Sequence, residues 1–86
     1  MFTINPNFII QYIERDKAII LDTDVSRIYQ LNSTASLILK MIKKKKSSSE
    51  IALHLHKKFT ISLTQADQDV KNLLIDFKKK KILISK

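Results

Sequence analysis

The chain has 86 residues with no cysteine and no glycine, and 16 Lys and Arg against 8 Asp and Glu give it a formal net charge of +8. That length fits one domain over residues 1–86, with a core that buries roughly 60–68% of the surface of the unfolded chain. The missing cysteines exclude a disulfide framework, a thiolate nucleophile and a Cys-based zinc site, and fit a reducing, cytoplasmic setting; the missing glycines exclude Gly-rich nucleotide loops.

The opening MFTINPNFII has no basic start followed by a long apolar run, and no stretch approaches the ~20 apolar residues of a bilayer span. Charge is unevenly placed: residues 1–39 carry a net −1 and residues 40–86 a net +9. The positive half calls for an acidic partner, either nucleic acid or an acidic peptide.

In chain order, Phe8–Ile13 is β-branched, aromatic and short, and is expected to be a strand. Glu14 to Lys17 follows as a charged turn. Ala18–Thr23 is the second strand, and Asp22-Thr23-Asp24 supplies a turn through side chains that bond their own backbone. Ser26–Leu31 is the third, with Arg27, Tyr29 and Leu31 on one face and Ser26, Ile28 and Gln30 on the other. Short strands with tight polar turns make an antiparallel meander, leaving the third strand or the first with an unpaired edge, which can also pair two copies of the chain.

The period then becomes helical. Asn32 or Ser33 caps a helix whose apolar stripe is Ala35, Ile38, Leu39 and Ile42, closed by Lys43 to Lys46. Ser47 and Glu50 form a capping box opening a second helix that buries Ile51, Ala52, Leu55 and Phe59. Thr64 and Asp67 are spaced as a second box before a third helix burying Val70, Leu73, Leu74 and Phe77, which ends in Lys78 to Lys81. Ile82-Leu83-Ile84 adds a short strand or packs beneath the sheet.

No constellation points to catalysis. His54 and His56 sit about 200° apart on a helix that advances about 100° per residue, so they share no metal. Ser47 to Ser49 are explained by capping, and the carboxylates lack the spacing of a calcium loop. Neither an enzyme, a cofactor nor a metal is expected. A sheet followed by three helices is a winged helix-turn-helix-like α+β arrangement, which commonly reads DNA. Here Asp67, Asp69 and Asp76 on the third helix would face phosphates, so specific nucleic-acid binding is not favoured.

The run ILDTDVSRIYQLNSTASLIL resembles the pyrroloquinoline quinone biosynthesis protein D family and its relatives, the RiPP recognition elements. The matching features are Leu31-Asn32, the small pair Thr34-Ala35, the apolar Leu37-Ile38, then Ser48-Ser49-Glu50-Ile51-Ala52 with Phe59, and Asp69-Val70 with Leu73, Leu74 and Phe77. The departures are Lys43 to Lys46, where an acidic or glycine-containing turn is usual, and Ile38 or Leu39 in place of a bulky aromatic. The resemblance implies that the leader segment of a ribosomally made precursor peptide adds as a strand beside the third strand, against the third helix, for a separate modifying enzyme. Carried over by position, the strand side is Ser26, Arg27, Ile28, Tyr29 and Gln30. The helix side is drawn from Asp67, Val70, Lys71, Leu74, Phe77 and Lys78, with the lysines reading a leader that is acidic in part. No membrane partner is implied.

Overall fold

Strand alternation decides which side of the sheet meets the helices. The computed structural model describes residues 2–14 and 17–85. Its elements are β1 (Phe2–Ile4), β2 (Phe8–Glu14), β3 (Lys17–Asp22), β4 (Arg27–Leu31), α1 (Ser33–Lys43), α2 (Ser48–Phe59), α3 (Leu63–Lys79) and β5 (Leu83–Ser85). β2, β3 and β4 form an antiparallel sheet in that order, with Ile10 opposite Ile20 and Ile20 opposite Tyr29. Phe8, Ala18 and Ile20 point into the core, with Ile10, Tyr29 and Leu31 partly buried on the same side. The opposite face leaves Ile9, Ile13 and Ile28 exposed. The α+β class is therefore as expected, a three-stranded antiparallel sheet followed by three helices.

Three details differ from the sequence reading. β4 begins at Arg27, because Ser26 takes a left-handed conformation (φ 52°) and belongs to the turn. α3 is capped by Ser62, whose hydroxyl accepts from the Gln65 amide, so the helix starts one residue before Thr64 and the Thr64–Asp67 spacing is not its cap. A second sheet pairs β1 with β5, Thr3 opposite Ile84. The Asn5 amide fixes it by donating to the Ile82 carbonyl at 2.8 Å, and the Asn5 side chain donates to the Lys81 carbonyl at 2.9 Å. The charged turn expected at Glu14 to Lys17 is shorter than that, because Glu14 ends β2 and Lys17 opens β3 as a cross-strand pair; its Arg15 and Asp16 lie outside the described residues.

The core joins one stripe from each helix: Ala35, Ile38, Leu39 and Ile42 of α1, Ile51, Ala52 and Leu55 of α2, and Ala66, Val70 and Phe77 of α3. Ile82 and Leu83 close it from below, combining both outcomes expected for that run. Among the described residues no helix is long and apolar enough to cross a membrane.

Without glycine, tight turns rest on ordinary residues forced to positive φ: Ser26, Lys45, Thr60 and Lys81. Thr60 is the costliest, because its branched Cβ crowds the carbonyl in the left-handed well at the C-cap of α2. Thr60→Gly is therefore expected to raise unfolding free energy by about 1 kcal/mol in urea melts, the left-handed penalty relieved exceeding the added chain entropy.

At the start of α2 the expected capping box is present: Glu50 N donates to Ser47 Oγ at 3.1 Å and Ser47 N donates to Glu50 Oε1 at 3.2 Å. The backbone hydrogen bond from Ser47, then its side chain, hold the Glu50 carboxyl below its ordinary range. A depressed folded-state pKa gives stability that is present above the unfolded value and lost as pH falls through the folded one. Glu50→Gln keeps the box geometry but removes the proton uptake, so its melting temperature should fall less steeply than that of the parent on acidification from about pH 5.

Candidate functional site

The fold leaves one strand end poised over a helix. β4 pairs only with β3 in the three-stranded sheet, so alternate residues of β4 direct their N–H and C=O groups away from the sheet. The strand runs through Leu31 into Asn32, whose side chain accepts from the Ala35 amide at 2.8 Å and starts α1. Beside this junction lies a cavity of about 370 Å³ lined by Asn32, Thr34, Ala35 and Ile38 from the α1 end, and by Asp69, Asn72, Leu73 and Asp76 from α3.

The α3 wall is a single stripe. Asp69, Asn72, Leu73, Asp76 and Lys80 share an arc of about 100° around the helical period, the last of them at the C-cap. Lys80 ties this wall to β4, with its Nζ 2.9 Å from Asp76 Oδ2 and 5.3 Å from the centre of the Tyr29 ring. Gln65 Nε2 donates to Asp69 Oδ1 at 2.8 Å and Gln68 Nε2 to Asn72 Oδ1 at 3.1 Å, so the polar groups facing the cavity are already oriented. On the strand, Arg27 Nη1 donates to Tyr29 Oη at 3.5 Å, a long bond. Ile28 is 61% exposed and Gln30 is exposed on the outer face, while Tyr29 is half-buried.

The residues expected on the strand side thus stay together, apart from Ser26 in the preceding turn. Those expected on α3 do not. Val70 and Phe77, 0% and 1% exposed, are core residues and not a groove wall. Asp67 and Lys71 pair with each other at 3.0 Å, and Asp67 lines a different cavity, between α2 and α3. Leu74 lines a third, with Ile42, Ile51 and the loop after α1. Lys78 continues the Asp67, Lys71 and Leu74 stripe, which is centred roughly 170° from the Asp69 to Lys80 stripe. Both stripes flank the buried Ala66, Val70 and Phe77 face, and sequence periodicity does not say which flank meets β4. The i, i+4 pairs Gln65–Asp69, Gln68–Asn72 and Asp76–Lys80 hold this polar flank in one geometry, and Asp67–Lys71 does the same on the other flank, so side-chain pairing does not mark the flank in sequence.

Among the described residues no group of three or more His, Cys, Asp or Glu could hold a metal. His54 is exposed, and His56 is half-buried with Nδ1–H donating to the Ile61 carbonyl. That bond accounts for His56 as a brace for the turn between α2 and α3.

No curated protein matches the chain. Among solved structures, it is similar to one described as lasso peptide synthetase B1 complexed with the leader peptide: 23% identity over 98% of each chain, with a TM-score of 0.89. It is similar also to TbiB1 in complex with the TbiA(beta) leader peptide, at 17% identity over 98% of this chain and 96% of that one, TM-score 0.88. These likenesses bear on the fold. Residues 17–83, from the start of β3 into β5, match the family described as Coenzyme PQQ synthesis protein D. That span carries every residue of the β4, α1 and α3 junction, and the chain belongs to the PqqD family.

Proposed function

We propose that the chain is a single peptide-recognition domain that takes the leader segment of a ribosomally made precursor as an added strand on β4 and presents it to a separate modifying enzyme in the cytoplasm. The observation that carries this reading is the open β4 edge beside a cavity walled by α3. Strand addition satisfies edge N–H and C=O groups for any sequence, and the cavity selects among side chains. Arg27, Ile28, Tyr29 and Gln30 form the platform, and Asp69, Asn72, Leu73 and Asp76 form the reading wall. An acidic part of the leader would meet Arg27 at the start of the strand. The leader complexes of the similar structures are consistent with this use of the fold. The domain itself performs no chemistry in this reading and uses no cofactor.

The test is titration of synthetic leader segments from candidate precursor peptides, followed by amide shifts of the labelled domain. The expected result is saturable binding with the largest shifts in β4 and along Asp69 to Asp76. Shifts confined elsewhere, or a sequence-specific duplex DNA complex that survives physiological salt, would overturn it, since charge-driven DNA binding fades steeply with salt. A second copy on the same edge would show as a dimer that the peptide dissolves.

A further inference from the structure

The lysine run Lys43 to Lys46 plays no part in the β4 groove, and its last two residues rim a cavity on the other side of the domain. This cavity, about 380 Å³, has an apolar floor of Ile42, Ile51 and Leu74 and a rim of Lys45, Lys46, Ser47 and Ser48. Lys71 and Lys78 stand one turn either side of Leu74 on the same stripe of α3, and Lys43 and Lys44 end α1 just before the rim lysines in the chain. The acidic groups nearby are held locally: Glu50 caps Ser47 and lies 3.9 Å from Lys46, and Asp67 pairs with Lys71. The remaining carboxylates of the +9 half, Asp69 and Asp76, line the β4-side cavity about 170° away around α3.

We infer that this lysine-rimmed cavity is a second docking site, which takes an acidic amphipathic segment of a partner protein, its apolar side chains on Ile42, Ile51 and Leu74 and its carboxylates among the lysines. Charge complementarity selects the occupant. A dense cationic rim repels a second copy of this +8 chain, and an apolar floor adds nothing to a bare phosphate backbone. Because the site lies on the opposite flank of α3, a partner held there leaves β4 open, so the domain can hold peptide and partner together.

The probe is a synthetic helical peptide with Leu at i, i+3, i+4 and i+7 and Glu at the flanking positions, titrated into the labelled full chain. Three comparison probes are the same peptide with every Leu replaced by Ser, a 20-base-pair duplex, and vesicles with phosphatidylserine. The expected result is that the Leu/Glu peptide shifts Ile42, Lys45, Ser48, Ile51 and Leu74 but not β4. Its affinity should fall at least tenfold in Lys46→Glu and in Ser48→Glu, while the Ser version binds at least tenfold more weakly. Ser48→Glu guards against misfolding, since an acidic residue in the first turn of α2 favours the helix. Gln30→Pro should leave this binding intact, which separates it from the proposed peptide edge. Equal binding of the Ser version, preferential binding of duplex or vesicles through these residues, or no shift at the cavity would each overturn the assignment.

Discussion

Proline at Ile28 or Gln30 is expected to remove most of the affinity for the leader peptide, at least tenfold for either change. Strand addition relies on main-chain donors and acceptors, and proline takes away one donor while its ring bends the edge. A neutral hydrogen bond is worth about 0.5–1.5 kcal/mol net, and distortion of the neighbouring pairs adds to that, so a tenfold loss at 1.4 kcal/mol is the lower bound. The two positions share a face of β4, opposite Leu21 and Ile19 of β3. Residues of one parity direct their backbone groups to the same side, so proline there either weakens the β3 pairing or blocks the edge. Thermal melts distinguish the two, because damage to the pairing lowers the melting temperature and a blocked edge does not. Methylating the backbone nitrogens of the peptide one at a time gives the complementary reading. Affinity should drop at every second position, with a period of two that no side-chain groove would produce. Unchanged affinity in both proline variants, with the fold intact, would move the site away from β4.

Much of this architecture was legible in the sequence, and the reasons are local. β2 and β3 announce themselves as short β-branched and apolar runs and β4 by alternation, all bounded by polar turns, and the Asp24 amide donates to Asp22 Oδ1 at 3.0 Å as the turn chemistry required. The Ser47–Glu50 box is likewise written into neighbouring residues. β1 was not legible: it is three residues long and exists by pairing with β5 at the other end of the chain, information no short window contains. The side of α3 proposed here as the reading wall was not legible for a different reason. Periodicity fixes which residues of α3 share a stripe, but two stripes flank the buried face with similar composition. Only the tertiary packing, expressed in Lys80 reaching across to Tyr29, decides that the Asp69 flank and not the Lys71 flank meets the strand.

Leu73 and Phe77 separate these two placements, because one lines the groove and the other fills the core. Phe77→Ala should cost about 3–5 kcal/mol of stability, the range for truncating a buried aromatic. Against a total of roughly 4–13 kcal/mol for a chain of this length, that lowers the melting temperature by tens of degrees. Peptide affinity measured well below the variant's melting point should nevertheless stay within about twofold of the parent, since at 1% exposure the ring offers the peptide no surface. Leu73→Ala behaves in reverse. Its side chain is half-buried and partly in contact with the cavity, so the stability loss should be smaller, about 1–2 kcal/mol, below the range for a fully enclosed leucine. Affinity should fall about tenfold, as removing apolar contact from a peptide side chain costs on the order of 25 cal/mol for each Å² lost. The pair is measured by urea melts for stability and calorimetric titration for affinity, on the same preparations. A Leu73→Ala domain that binds the leader as tightly as the parent, while Leu74→Ala loses it, would assign the peptide to the opposite flank of α3 and return Lys71 and Lys78 to the reading wall.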